Sequence, residues 1–170
     1  MQGVRQEKIK LPVLVSGIRR SLVKLLNRPA SELAGHHAFK SDQKILAVWA
    51  ADCAEHVLPY FECNHPKDGR PRKAIEACRA WAATGVFRMA DIRKASLAAH
   101  AAARGMREDA AACYAARAAG QAVATAHVPT HSIGAAAYAI KAAVAYSNDA
   151  NSIIKERNWQ LQRLRNLRRI

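Results

Sequence analysis

Apolar and polar positions along the chain recur with the period of a helix, and breaker residues divide them into six amphipathic segments. From about Gln43, the residues Ile45, Leu46, Trp49, Cys53, Val57 and Tyr60 fall on one face, with Asp52, Glu55 and His56 opposite. Ser41 or Asp42 is placed to cap that helix, and Pro59 to kink it or mark its last turn. The run 64–69 reads as a turn from its composition. A second helix opens at Pro71, where a missing N–H costs nothing, and ends at Thr84-Gly85. Arg72, Glu76 and Arg79 form its charged stripe; Ile75, Cys78 and Ala82 take another face. A third helix, from about Met89 to Arg104, aligns Arg93, Ser96, His100 and Arg104, with Gly105 as the expected C-cap. The fourth is expected from Glu108 to His127, stopped by Pro129. On it Tyr114, Arg117, Gln121 and Thr125 line up beside a flank of Ala116, Gly120, Ala124 and His127. The fifth runs from His131 to Ser147 with His131, Gly134, Tyr138 and Lys141 on one face. The last is expected from Asn148-Asp149 to about Arg168. It would have Ile154, Leu161 and Leu164 on one side and a polar–aromatic patch of Glu156, Arg157, Trp159 and Gln160.

The pattern predicts an all-α fold: one bundle of about six helices arranged as antiparallel pairs. A weak self-similarity at about 42 residues, matching Cys78 to Gly120 and Ala95 to Ala137, gives it a repeat-like character. Residues 1–40 read as a separate basic extension, and 41–170 as the helical domain. Within the extension, Leu14, Ile18, Leu22, Leu25 and Leu26 share a helical face up to Asn27-Arg28-Pro29. This suits a short accessory helix or flexible arm, with a membrane-surface helix as the alternative.

Composition changes the picture in two ways. Alanine makes up about a fifth of the chain and aromatics 6%. The core must therefore come from thin, closely packed helices anchored by a few bulky residues, for which Trp49, Trp81, Phe61, Phe87 and Tyr138 are the candidates. The formal charge of +14 first suggests a nucleic acid or an anionic membrane. Its distribution argues otherwise: residues 1–40 carry +6, 151–170 carry +5, and the whole of 41–150 only +3. No apolar run is long enough to span a bilayer or to serve as a secretory signal, which predicts a cytoplasmic protein with reduced cysteines.

Candidate chemistry is sparse. Cys53-x-x-His56 and Cys63-x-His65 resemble metal pairs, but Cys53 belongs to the apolar face and C-x-H is not a usual pair, so no metal is expected. No cofactor motif, phosphate loop or catalytic signature is present. His100, His127 and His131, with Glu76 and Asp52, could do acid–base work if they converged on one pocket; interhelical hydrogen bonding is the simpler use for them. Arg163, Arg165, Arg168 and Arg169 could grip phosphates, without any recognisable nucleic-acid motif.

Several ordered blocks carry a resemblance. L-A-V-W-A-A-D-C-A-E-H-V-L at 46–58, R-P-R-K-A-I-E-A-C-R-A-W at 70–81, A-A-H-A-A-A-R at 98–104, A-A-G-Q-A-V-A-T-A-H-V at 118–128 and G-A-A-A-Y-A-I-K-A at 134–142 follow one another along the chain. With E-R-x-W-Q at 156–160, they resemble the alanine-rich bacterial domain called "putative immunity protein", over about residues 43–165. The resemblance implies protection against a toxin of a polymorphic toxin system, normally by binding that toxin and blocking it. It carries over no catalytic residues, and the basic ends point away from a nuclease as that toxin. The expected binding residues are the large polar ones in these blocks and their flanks: Asp52, His56, Arg72, Glu76, Arg79, His100, Arg117, Gln121, His127, His131, Tyr138 and Lys141. The alternatives are an enzyme or small-molecule binder with a histidine-containing pocket between helices, and non-specific nucleic-acid binding through the basic termini.

Overall fold

The structure, a computed structural model, describes residues 40–106 and 108–167. The expected accessory helix at 13–26 and the terminal Arg168 and Arg169 lie outside them. All the regular structure described is helical: α1 Lys40–Val57, α2 Pro59–Glu62, α3 Arg70–Thr84, α4 Met89–Gly105, α5 Ala110–Ala124, α6 His131–Ser147 and α7 Asn151–Leu167. Six of these are long, and α2 is a single turn. The fold class is all-α, as the periodicity predicts.

Local chemistry sets most of the boundaries. α3 begins with Pro71 in its first turn and ends at Gly85, whose left-handed φ of 72° lets its N–H reach Trp81 O at 2.8 Å. α5 is capped by Asp109, whose Oδ1 accepts from the Ala112 N–H at 2.9 Å. The two carbonyls just past its end are bonded from another helix: Gln43 Nε2 donates to Thr125 O and Ala126 O at 3.0 and 3.1 Å.

Several boundaries differ from the pattern; α5 covers Ala110–Ala124 and not Glu108–His127. α1 is described from Lys40, which puts Asp42 in its first turn, near the positive end of the helix dipole. Pro59 starts α2 after α1 has ended at Val57. Gly105 is the last helical residue of α4 and does not have positive φ; Met106 is the cap. Asn148 closes α6 in the left-handed conformation, φ 51°, and α7 starts three residues later.

α5 is the centre of the bundle. It packs against α1, α2, α3, α4 and α6, and its buried positions are alanines, Gly120 and Val123. Methyl-sized side chains let backbones approach until small groups bond directly across helices. Ser96 Oγ on α4 donates to Gly120 O at 3.0 Å. The Cys78 thiol on α3 reaches Ala122 O at 3.0 Å and Ala47 O at 3.4 Å, tying three helices together. Burial pushes that thiol's pKa up to about 12. Bulk comes from α1 and α2, where Trp49, Phe61, Leu46 and Leu58 are fully enclosed, with Ile140 and Leu164 completing the core.

Trp81 joins that core and Tyr138 is half-buried, but Phe87 is not an anchor: it is 43% exposed in the α3–α4 connection. On α7, Leu164 is buried while Ile154 is 60% exposed. The inward face of α7 runs through Ile153, Glu156, Gln160 and Leu164, so two polar residues occupy positions that an apolar pattern would fill.

Candidate functional site

The expected site residues separate into two groups on different helices. The first lies where α7 and α3 meet α1. Asp52, expected on the outer side of α1, is 7% exposed. It is buried because two arginines neutralise it: Arg79 from α3 donates to Oδ1 at 2.8 Å and Arg163 from α7 to Oδ2 at 2.6 Å. Arg79 also bonds Glu55. Burial lowers the Arg79 pKa, but these carboxylates outweigh it and the net shift is upward.

Four residues beyond Asp52 on α1, His56 meets Glu156, which is 4% exposed and has both oxygens taken. Oε2 lies 2.9 Å from His56 Nδ1, and Oε1 accepts from Gln160 Nε2 at 2.8 Å. A carboxylate only accepts, so the His56 proton sits on Nδ1. Gln160 Nε2 also donates to Ala136 O at 3.0 Å, and its backbone carbonyl accepts from Trp49 Nε1 at 2.8 Å. Trp159 stacks on His56, ring centroids 3.9 Å apart and planes 12° apart. A surface cavity of about 500 Å³ opens beside these groups, lined by Asp52, Glu55, His56, Trp159, Gln162, Arg163 and Asn166. Arg72 lies on the same helix as Arg79 but pairs with Glu62, at 2.6 and 2.7 Å; Glu76 stands exposed on α3.

The second group spans α4, α5 and α6. The helices run so that Gln121 on α5 meets Gly134 and His131 on α6: His131 Nδ1 is 2.7 Å from Gln121 Oε1, and a Cβ on Gly134 would sit 2.7 Å from that same oxygen. One turn back, Arg117 lies over the Tyr138 ring at 5.8 Å. A further turn back, Lys141 lies 5.2 Å from the Tyr114 centroid and 5.7 Å from that of Tyr138. The two tyrosines stack at 6.2 Å. On the α4 side, the His100 ring packs against Gly120, where a Cβ would come within 2.9 Å of Nε2. Burial, then Arg117, Arg104 and His131, lower the His100 pKa; burial and then His127 lower that of His131. Both are therefore neutral at pH 7, and the charge on this face belongs to arginine and lysine. His127 is exposed just past the end of α5.

The two groups differ in what their polar atoms do. Around Asp52 and Glu156, charges are matched within the fold. On the second face, α5 and α6 contain no Asp or Glu, and α4 carries only Asp91 in its first turn. None of the ion pairs among the described residues involves Arg104, Arg117 or Lys141. His100, His127 and His131 do not line the cavity, and no cluster of three or more His, Cys, Asp or Glu among the described residues could hold a metal ion.

Periodicity overlooked Glu55, Glu156, Trp159, Gln160 and Arg163 as parts of the first group. Two signals could have found Glu156 and Gln160: they are spaced i, i+4, and they continue through Leu164 as one face. Nothing in the sequence marks Arg163 as the partner of a residue 111 positions earlier.

A family model described as Imm-5 like putative immunity protein matches residues 36–167. No curated protein and no solved structure matches the chain. Among the described residues no helix is long and apolar enough to cross a membrane.

Proposed function

Because the chain belongs to the Imm-5 like putative immunity protein family, we propose that it protects by binding a cognate protein toxin and blocking it. The reading is of a binder, not a catalyst. What supports it in the fold is the α4–α6 face: large polar and aromatic side chains on thin alanine helices, held in place by Gly120, Gly134 and each other. Tyrosine and arginine fixed on a rigid support are the side chains that carry most of the energy in protein interfaces. The Asp52 and Glu156 networks serve, in this account, to fasten α3 and α7 to α1 so that the support stays rigid. Residues 1–40 are taken as an extension outside the binding domain.

Co-expression tests the proposal. Each toxin gene product encoded beside this chain is expressed with and without it, and growth and co-purification are scored. Growth restored together with a stoichiometric complex is the expected result. Neither rescue nor complex with any neighbouring toxin contradicts it.

A further inference from the structure

We propose that the face formed by α4, α5 and α6 docks an acidic segment of the partner polypeptide. Arg104, Arg117 and Lys141 would pair with its carboxylates, and Tyr114 and Tyr138 would take its aliphatic parts. The inference rests on the toxin-binding reading and deepens it by naming the chemistry of the partner.

The argument is one of charge complementarity. Three cations stand on three adjacent helices in a region whose two inner helices lack any acidic residue. Elsewhere Arg70 pairs with Asp68, Arg72 with Glu62, and Arg79 and Arg163 with Asp52, while Arg88, Arg93, Arg157 and Arg165 are in none of the ion pairs among the described residues and lie over no aromatic ring there. Here Arg117 and Lys141 are held over tyrosine faces instead, which orients them while leaving their charge uncompensated by any carboxylate. Such a cluster costs self-repulsion in the free protein, visible in the way Arg117 and Arg104 disfavour protonation of His100. An anionic partner relieves that cost. Adjacent helix axes lie about 10 Å apart, which a polyproline-II chain covers in one turn of about three residues, so carboxylates at every third position share a face and match the spacing. The aromatic and cationic composition would also suit a single-stranded nucleic acid. The family match favours a polypeptide.

The test uses the full chain and fluorescence anisotropy with three probes: a ~12-residue peptide with Glu at every third position, its Glu-to-Gln counterpart, and an oligothymidylate of ~20 nucleotides. The variants are Arg117→Glu with Lys141→Glu, the milder Arg117→Gln with Lys141→Gln, and a control that makes the same charge change on α7, Arg157→Glu with Arg165→Glu. Circular dichroism verifies that each is folded. Tight binding of the Glu peptide only, lost about tenfold or more in both α5/α6 variants and changed less than about threefold in the control, supports the proposal. Equal losses in the α5/α6 and control variants mean a general charge effect and overturn it. So does preference for the oligothymidylate that the α5/α6 variants abolish. In co-expression, rescue by the wild type but not by the glutamate variant supports this face. Rescue by both overturns the face and leaves the immunity reading standing, whereas failure of the wild type overturns the immunity reading itself.

Discussion

Glu156 offers a quantitative probe of the network that fastens α7. Truncation to alanine removes two hydrogen bonds to a charged acceptor, from His56 at 2.9 Å and Gln160 at 2.8 Å. Such bonds contribute about 1.5–3 kcal/mol each. Two features reduce the loss. Gln160 Nε2 keeps Ala136 O at 3.0 Å, and His56, 41% exposed, can turn to water. Relief of a desolvated charge offsets part of the remainder, while the void left between His56 and Gln160 adds to it. The net cost of Glu156→Ala is therefore about 2–3 kcal/mol. Glu156→Gln keeps the shape: its carbonyl can accept from Gln160, and its NH₂ can donate to His56 Nδ1 in the other neutral tautomer. Only charge assistance is lost, about 1 kcal/mol. Urea denaturation at neutral pH reads both, and with m of roughly 1–3 kcal/mol/M the alanine variant's midpoint should fall by about 0.7–3 M. Equal destabilisation by the two variants, or a cost under about 0.5 kcal/mol for alanine, would refute the claim that both oxygens work within the fold.

Other expectations follow from single positions. Gly105→Ala should stabilise by about 0.5 kcal/mol, because the residue is helical and a Cβ there meets nothing within 4 Å; a loss in the same urea assay would reinstate Gly105 as a left-handed cap. Gly120→Ala should destabilise, since the new Cβ falls within 2.9–3.1 Å of three His100 ring atoms, and the combination with His100→Ala should recover part of the loss. His100 and His131 hold a proton less tightly when folded than when unfolded. The unfolded chain thus takes up more protons as pH falls through about 6.5, and their contribution to stability declines below that pH. His100→Gln should flatten the fall in urea midpoint between roughly pH 7 and 5.5; an unchanged slope would contradict it. Cys63 is exposed whereas Cys53 and Cys78 are buried with raised pKa values, so a thiol reagent should modify Cys63 in the native protein and reach the other two only on unfolding.

Much of the architecture is readable from the chain where a boundary has local chemistry. Pro71 and Gly85 bracket α3, Met89 opens α4, and the span of α6 from His131 to Ser147 follows from periodicity alone. The readings that failed did so for one physical reason: periodicity sorts residues by polarity, not by partner. Asp52, Glu156 and Gln160 look like solvent-facing positions, yet each is buried because a group from another helix satisfies it. On α7 the hydrophobes group Ile154 with Leu164 on one side and Glu156 with the polar patch, yet Ile154 is 60% exposed and Glu156 is buried with Leu164. Phe87 shows the converse error, an aromatic taken for a core residue although it sits in a short exposed connection. The stripes on α5 and α6 were legible as stripes. That they meet, Gln121 on His131 and Lys141 on Tyr114, depends on the antiparallel register of two helices, which no single segment encodes.

The central claim is that the partner is bound on α4–α6 while the Asp52–Glu156 networks hold the fold together. Hydroxyl-radical footprinting of the co-purified toxin complex against the free protein tests it most directly, since both regions carry reactive aromatic and imidazole side chains. Protection of His100, Tyr114, His131 and Tyr138 with Trp159 and His56 unchanged is the predicted result. Protection of Trp159 and His56 with the tyrosines unchanged would contradict the account.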